Sequence, residues 1–149
     1  MVDADPLKVE RALSSGGLGC PVCAGVLRRW GWARERTVRG AGGLGLRLRP
    51  RRARCQRCAR THVLLPVFVL VRRADVVAVI GWALMLAAAG AGFRAVAAQV
   101  EVAEGTVRGW LRSFRDRAEG WRVVFTRLLA ALDPVPGPIA ARGSQLGDA

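Results

Sequence analysis

The stretch RRARCQRCARTH, residues 51–62, places Cys55 and Cys58 three positions apart among five arginines. Cys20 and Cys23 have the same spacing, and 31 residues separate the two pairs. A C-x-x-C turn can hold one side of a tetrahedral ion, and two such turns complete a closed four-sulfur site. The spacing therefore predicts one structural Zn²⁺ per chain, bound by Cys20, Cys23, Cys55 and Cys58.

Other uses of these thiols fit the sequence less well. A thioredoxin-type redox pair needs one C-x-x-C at a helix start, whereas this chain has two pairs with strand-like flanks. A catalytic Cys58 with His62 as its base would need an orienting third group, and none is evident. Disulfides are not expected, because residues 1–17 lack the pattern of a secretory signal and we expect a cytoplasmic protein. Iron remains an alternative ion, since four thiolates accept either metal.

The residues around the cysteines have the composition of short strands. Residues 26–38 and 61–65 are rich in β-prone side chains, and Leu44, Leu46 and Leu48 alternate as in a half-buried strand. From Asp75 onward the apolar period becomes helical, which predicts helices over 76–87, 93–100 and 104–117 and a further one reaching residue 132. The predicted fold class is α+β, with a small β zinc ribbon followed by an all-α helix-turn-helix bundle.

The same patterns divide the chain into four parts. We expect a flexible leader over 1–17 that can contain one short helix around residues 7–13, a zinc-ribbon domain over 18–68, a helix-turn-helix domain over 72–132 and a disordered tail over 133–149. Residues 76–93 carry no charge over 18 positions, which is near the lower limit for crossing a bilayer. Six alanines and three glycines weaken that signal, so a buried first helix is expected. The alternative is a small membrane-associated protein anchored through residues 76–93.

Residues 94–112 have the pattern of a helix-turn-helix, which needs a small residue at the helix crossing and an apolar lock between the helices. Ala97 is expected at the crossing, and the lock consists of Val96, Val100, Val102, Val107, Trp110 and Leu111. The candidate DNA-facing side chains are Thr106, Arg108, Arg112 and Arg115. Glu101 at the turn, Ala103 at the N-cap and Gly109 inside the second helix are unfavourable choices, each costing about 1 kcal/mol. An ordinary three-helix packing unit therefore stays a second interpretation.

The charge of the chain indicates a polyanionic partner. The net charge is +13, and residues 28–73 alone hold fourteen arginines and a single acid, Glu35. Such an excess costs self-repulsion and is usually tolerated because the partner is polyanionic. We therefore expect double-stranded DNA as the partner, with the ribbon contributing Arg51, Arg52, Arg54 and Arg57 to phosphate binding.

The order of motifs also resembles a known family pattern. CPVC, RRWGWARERTVRG, LRPRRARCQRCARTHVLLP and AVAAQVEVAEGTVRGWLRSF resemble the N-terminal module of bacterial insertion-sequence transposases, and small actinobacterial proteins of unknown function that carry only these parts. The resemblance implies zinc on the four cysteines and DNA contacts from the helix containing Thr106, Arg108 and Arg112. Ala24 and Ala59 depart from it, because ribbon turns usually have glycine directly after the second cysteine.

The resemblance does not extend to catalysis. About 35 residues follow the predicted helix-turn-helix, and the acidic residues of a transposase catalytic core have no place there. We therefore expect a non-enzymatic, nucleoid-associated DNA-binding protein: a transposase accessory, a remnant or a derived transcriptional regulator. A second copy of the chain or a transposase catalytic subunit would be its protein partner. The alternative within the same fold is a zinc-ribbon RNA- or protein-interaction module.

Overall fold

The computed structural model describes residues 1–132, so the tail expected over 133–149 lies outside the described residues. The chain forms two compact units that divide between Val79 and Ile80. A small antiparallel β region is followed by helices, which confirms the α+β fold class. The division lies later than the boundary expected near residue 70, because the chain up to Val77 remains hydrogen-bonded to the first unit.

The first unit contains one helix and five strands. They are α1 (Pro6–Ser15), β1 (Leu27–Trp32), β2 (Arg36–Arg39), β3 (Gly45–Leu48), β4 (Arg51–Cys55) and β5 (Thr61–Leu64). An antiparallel sheet has the strand order β1-β4-β5, while β2 and β3 form a separate hairpin across the Ala41–Gly43 turn. The four cysteines flank the ends of β1 and β4, so the three-stranded sheet positions the site.

Residues 1–17, expected as a flexible leader, instead form part of this unit. The Asp5 carboxylate accepts a hydrogen bond from the Leu7 amide at 2.8 Å and caps α1, and Gly16 ends the helix with a φ of 78°. Val9 and Leu13 are buried in the same cluster as Leu27, Ala53 and Leu64. A small sheet with one apolar face must cover that face, and the amphipathic α1 covers it.

The hairpin formed by β2 and β3 is more exposed than expected. Alternation predicted that Leu44, Leu46 and Leu48 would be half-buried, but Leu44 and Leu46 are exposed and only Leu48 is half-buried. Val38 on β2 is fully buried. Alternation therefore identified a strand but not how deeply its apolar side is covered, which depends on the elements that pack against it.

The hairpin is held to residues 74–76 by Arg39 and Asp75. The Arg39 guanidinium donates to both carboxylate oxygens of Asp75, at 2.9 and 3.2 Å, and Asp75 is 2% exposed. Backbone bonds from the Arg39 amide to the Ala74 carbonyl and from the Val76 amide to the Arg39 carbonyl flank this pair. A buried carboxylate requires such partners, so the pair fixes the entry to the first long helix.

Three helices follow: α2 (Val77–Ala88), α3 (Phe93–Val100) and α4 (Glu104–Leu132). The helix α3 has the predicted bounds, and the two helices predicted over 104–132 are one continuous helix through Gly120. The uncharged run over 76–93 is divided among α2, the turn at Gly90 and the start of α3. Within residues 1–132, no helix is long and apolar enough to cross a membrane.

The helices α3 and α4 pack as a helix-turn-helix arrangement. Glu101 adopts the left-handed conformation predicted at the turn, with a φ of 54°, and the Val102 amide donates to the Ala97 carbonyl at 3.1 Å. Ala97, predicted at the crossing, is buried, and so is every residue predicted to lock the two helices: Val96, Val100, Val102, Val107, Trp110 and Leu111. The burial of this lock offsets the unfavourable local residues at the turn.

We predict that Asp75→Ala lowers the free energy of unfolding by about 2 kcal/mol, since it removes a charge-assisted bidentate bond from a buried position. Urea unfolding of the full chain measures the effect. The control is Glu35→Ala, which breaks the ion pair with Arg47 on the exposed side of the hairpin and should change stability little. Equal effects of the two substitutions would contradict the structural role given to Asp75.

Candidate metal centre and nucleic-acid interface

The two C-x-x-C segments fold into turns with the same backbone hydrogen bonds. In the first, the Cys20 amide donates to the Gly25 carbonyl and the Ala24 amide to the Cys20 carbonyl, both at 2.8 Å. In the second, the Cys55 amide donates to Arg60 at 2.9 Å and the Ala59 amide to Cys55 at 3.0 Å. Each turn also directs amides at its first sulfur, such as the Arg57 amide at 3.3 Å from Cys55 Sγ. The amides at Cys55 Sγ favour the thiolate of that residue over its thiol.

The two turns bring the four sulfurs together. Cys20 Sγ lies 3.8 Å from Cys58 Sγ, Cys23 Sγ lies 3.5 Å from Cys55 Sγ, and all four sulfurs lie within 4.8 Å of one another. A tetrahedral ion with metal–sulfur bonds of about 2.3 Å needs sulfurs about 3.8 Å apart. The four cysteines are therefore positioned to hold a metal ion, as the spacing predicted.

Gly25 allows the two turns to approach each other. A Cβ at this position would lie 2.7 Å from the Cβ of Arg57 and 3.0 Å from Cys55 Sγ. Real Cβ atoms do not come that close, so any larger residue would push the second turn away from the first. The close approach of the two pairs thus depends on a glycine that neither cysteine motif includes.

Ala24 and Ala59 occupy the positions where glycine was expected. Both have a φ of 58°, in the left-handed region that favours glycine. The two alanines therefore keep the backbone geometry of a ribbon turn, at a cost of about 1 kcal/mol each.

His62 lies closer to the site than the sequence indicated. Its Nε2 lies 3.4 Å from Cys20 Sγ. Its register opposite Ala53 places it on the same face of the sheet as Cys55. Its position four residues after Cys58 was the one available signal, and spacing alone could not show which way the side chain faces.

The backbone also separates the pKa values of two of the thiols. The Cys58 amide, helped by the Arg57 amide, lowers the pKa of Cys55 from 9.0 to about 6 against the opposing effect of burial. The Gly25 amide lowers the pKa of Cys23, but burial and the hydrogen bonds with Cys55 and its neighbours outweigh it and raise that pKa to about 11. Metal binding at neutral pH must therefore displace the Cys23 proton, so acid competes with the ion.

The strand β4 divides the ribbon arginines between two faces of the sheet. Arg51 is on the α1 side, where its Nε lies 2.8 Å from the Glu10 carboxylate and its side chain is 15% exposed. Arg52 and Arg54 lie on the opposite face from Arg51, since successive residues of a strand point to opposite sides; Arg54 pairs with Arg28 and Thr61, and Arg52 pairs with Val63. Both lie away from the buried Ala53. The structure thus brings Arg52 and Arg54 together and separates Arg51 from them.

The remaining ribbon candidate, Arg57, lies at the metal-binding turns. One of its guanidinium nitrogens donates to the Cys23 carbonyl at 3.3 Å, which links the second turn to the first. The side chain is exposed. Arg57 is therefore a link between the two turns as well as a surface cation.

The sequence did not single out Trp30, although it lies beside these arginines. Its side chain is 51% exposed, and the Arg54 guanidinium lies 4.6 Å from its ring centroid. Strand alternation from the buried Leu27 would have placed Trp30 with the outward arginines of β1 and β4. An exposed tryptophan next to arginine is a common feature of nucleic-acid-binding surfaces.

The candidate residues of the helical unit all lie on α4. Arg108, Arg112 and Arg115 are exposed and spaced so that they follow one side of the helix. Arg108 also lies 4.3 Å from the ring of Phe93 on α3. Thr106 is half-buried in the first turn of α4, where its amide donates to the Ala103 carbonyl.

We predict that Ala24→Gly and Ala59→Gly each stabilise the metal-loaded protein by about 1 kcal/mol, because glycine adopts a positive φ without strain. Urea unfolding under identical metal-loaded conditions measures the change. The matched control is Ala12→Gly inside α1, where glycine should destabilise by about 1 kcal/mol. Destabilisation by all three substitutions would show that the turns are not strained.

A comparison with known protein families bears on the four cysteines and on the helices α3 and α4. No curated protein and no solved structure matches the chain. Residues 20–110 match the model of a protein family described as a domain of unknown function, DUF6431. This match includes all four cysteines and ends at Trp110 in the lock between α3 and α4, and it spans more than half of the chain. The chain therefore belongs to the DUF6431 family.

Proposed function

We propose that this chain is a non-enzymatic DNA-binding protein in which a structural Zn²⁺ holds the first unit together and α4 of the second unit contacts duplex DNA. The observation that carries the proposal is the exposed row of Arg108, Arg112 and Arg115 on a helix that is locked onto α3 through other, buried residues. A helix presented in this way can enter a major groove, where arginine reaches base edges and phosphates. The protein would act in the cytoplasm, associated with the nucleoid.

Zinc is the ion that best suits the four-sulfur site. The site is closed by four protein sulfurs, which is the arrangement of structural rather than catalytic zinc. The buried cluster beside it is small, containing Val9, Leu13, Leu27, Ala53 and Leu64 together with two of the cysteines. The ion would therefore supply much of the folding free energy of this unit.

The transposase relationship is the finer part of the proposal. It is supported by the order of the motifs, in which two C-x-x-C turns precede a helix-turn-helix segment. We infer an accessory or remnant of a mobile element, or a transcriptional regulator derived from one. A reading frame for a transposase catalytic core directly downstream of the gene would support this inference, and its consistent absence among related genes would favour the regulator.

We predict that the protein purified without added metal carries one zinc per chain by elemental analysis. Cys55→Ser should lose the ion and unfold the first unit, because three sulfurs cannot close the site. The control, Gln56→Ala, changes an exposed residue of the same turn and should retain the ion. One metal per chain that survives Cys55→Ser unchanged would refute the four-sulfur assignment.

We predict a strong salt dependence of duplex DNA binding by the full chain. With about eight phosphates neutralised, the logarithm of the association constant should fall against log salt with a slope of about −7. Arg112→Ala should reduce the slope by about 1, since it removes one phosphate contact. Fluorescence anisotropy with a labelled duplex at several salt concentrations measures both.

The matched control is Arg122→Ala on the same helix. This substitution removes the same charge, but the Arg122 guanidinium is held by Glu119 at 2.8 Å, so the slope should not change. An affinity for duplex DNA that does not change with salt concentration would contradict the proposed binding through phosphate contacts. Stronger binding to structured RNA than to duplex DNA would instead identify the chain as an RNA-interaction module.

A further inference from the structure

The side of the three-stranded sheet turned away from α1 carries a mixed basic and aromatic surface. We call it the outer sheet face and define it by Arg28, Trp30, Arg52, Arg54, Thr61 and Val63. Cross-strand pairing aligns Arg28 with Arg54 and Arg54 with Thr61, while Arg52 pairs with Val63. Paired residues project from the same side of a sheet, so these side chains share one surface.

The apolar members of the outer sheet face are half exposed. Trp30 is 51% exposed and Val63 is 49% exposed, although both lie within strands of the sheet. A shallow depression of about 350 Å³ lies beside Trp30, lined by Arg28, Arg54 and Gln56 among others. An exposed tryptophan above a depression is a surface on which a flat ring can stack.

The Arg54 guanidinium extends this stacking surface. It lies over the Trp30 ring, 4.6 Å from the ring centroid, and donates to the Ala59 carbonyl at 3.1 Å, which restrains its position. A guanidinium held in this way offers both a flat surface and a positive charge. Nucleic-acid bases stack on arginine planes as well as on aromatic rings.

The charge around this surface is positive, and no acidic side chain within residues 1–132 pairs with Arg28, Arg52 or Arg54. Glu10 pairs with Arg29 and Arg51 on the α1 side of the sheet, and Glu35 pairs with Arg47 on the hairpin. The Arg28 guanidinium is committed to the last carbonyls of α1, at 2.8 Å from Ser14, but keeps its charge at the edge of the face. The outer sheet face therefore suits a ligand with negative charges and flat apolar groups.

We propose that the outer sheet face binds single-stranded nucleic acid, with an unpaired base stacked on Trp30 and Arg54 and the flanking phosphates near Arg52 and Arg28. Bases within a duplex are stacked on one another and cannot offer their faces to Trp30, so the ligand must be unpaired there. The inference deepens the proposed nucleic-acid-binding function, but it uses a different surface from α4.

The neighbouring Trp32 provides a matched control for Trp30. The two tryptophans are two residues apart and should share one face, but a bulge between Arg29 and Trp32, with Gly31 at a φ of 99°, changes the register. Trp32 consequently pairs with Arg51 on the α1 side, where the Arg51 guanidinium lies 4.4 Å from its ring. It is 47% exposed, almost the same as Trp30.

The test measures binding of the metal-loaded full chain to labelled 15-nucleotide thymidine and uridine strands by fluorescence anisotropy. We expect binding to at least one strand, and the two arms distinguish DNA from RNA as its source. Trp30→Ala should weaken that binding about tenfold, because it removes the ring on which the base stacks. Trp30→Phe should retain most of the affinity, and Trp32→Ala should leave it unchanged. Metal content of each variant confirms that the site is intact.

The outcomes separate this inference from the proposed function. If Trp30→Ala weakens single-strand binding while Arg112→Ala weakens only duplex binding, both surfaces bind nucleic acid. Single-strand binding that depends on Trp30 without any duplex binding would support this inference and overturn the role of α4. Failure to bind either strand, or equal losses in the Trp30→Ala and Trp32→Ala variants, would overturn the outer sheet face as a stacking surface.

Discussion

The close approach of two cysteine turns is the constraint on which the first unit depends. The buried cluster beside them is small, and two of its members are the cysteines Cys20 and Cys55. The turns can meet because Gly25 has no Cβ, since a larger residue would collide with Arg57 and Cys55. The same closure sets the ends of β1 and β4, because the Gln56 amide donates to the Val26 carbonyl across the two strands. The register of the sheet and the positions of the four sulfurs therefore depend on each other.

That register also determines what the arginines can do. In a strand the side chains alternate between two faces, so consecutive arginines in β4 have different surroundings. Arg51 neutralises Glu10 beneath α1, whereas Arg52 and Arg54 lie on the side away from that helix. The bulge at Gly31 likewise places the two tryptophans of β1, Trp30 and Trp32, on different faces of the sheet. The arginines of one basic sequence segment thus lie on two faces of the sheet. On the α1 side they form ion pairs within the unit, and on the other side they belong to the outer sheet face.

The helical unit shows how burial outweighs local preference. Glu101 adopts a left-handed conformation, and Ala103 offers no side-chain cap to α4. Two such costs amount to about 2 kcal/mol, whereas fully burying a single Val or Leu side chain contributes about 1.5–3 kcal/mol. Seven residues between α3 and α4 are buried. The turn can therefore depart from the preferred residues and still hold α4 with its arginines exposed.

The sequence by itself determined which four cysteines are positioned to hold a metal ion, the α+β class and the lock between α3 and α4. These are local patterns. One is a spacing of three between cysteines, and the other is a helical period that places Val96 and Val100 on one side of α3 and Val107 on the buried side of α4. Only the tertiary structure decided that residues 1–17 cover the sheet, that Asp75 is buried against Arg39, and that His62 lies beside Cys20. It also decided which arginines and which tryptophan lie on the outer sheet face. Each of these depends on register or on partners far apart in the chain, and a local pattern does not contain that information.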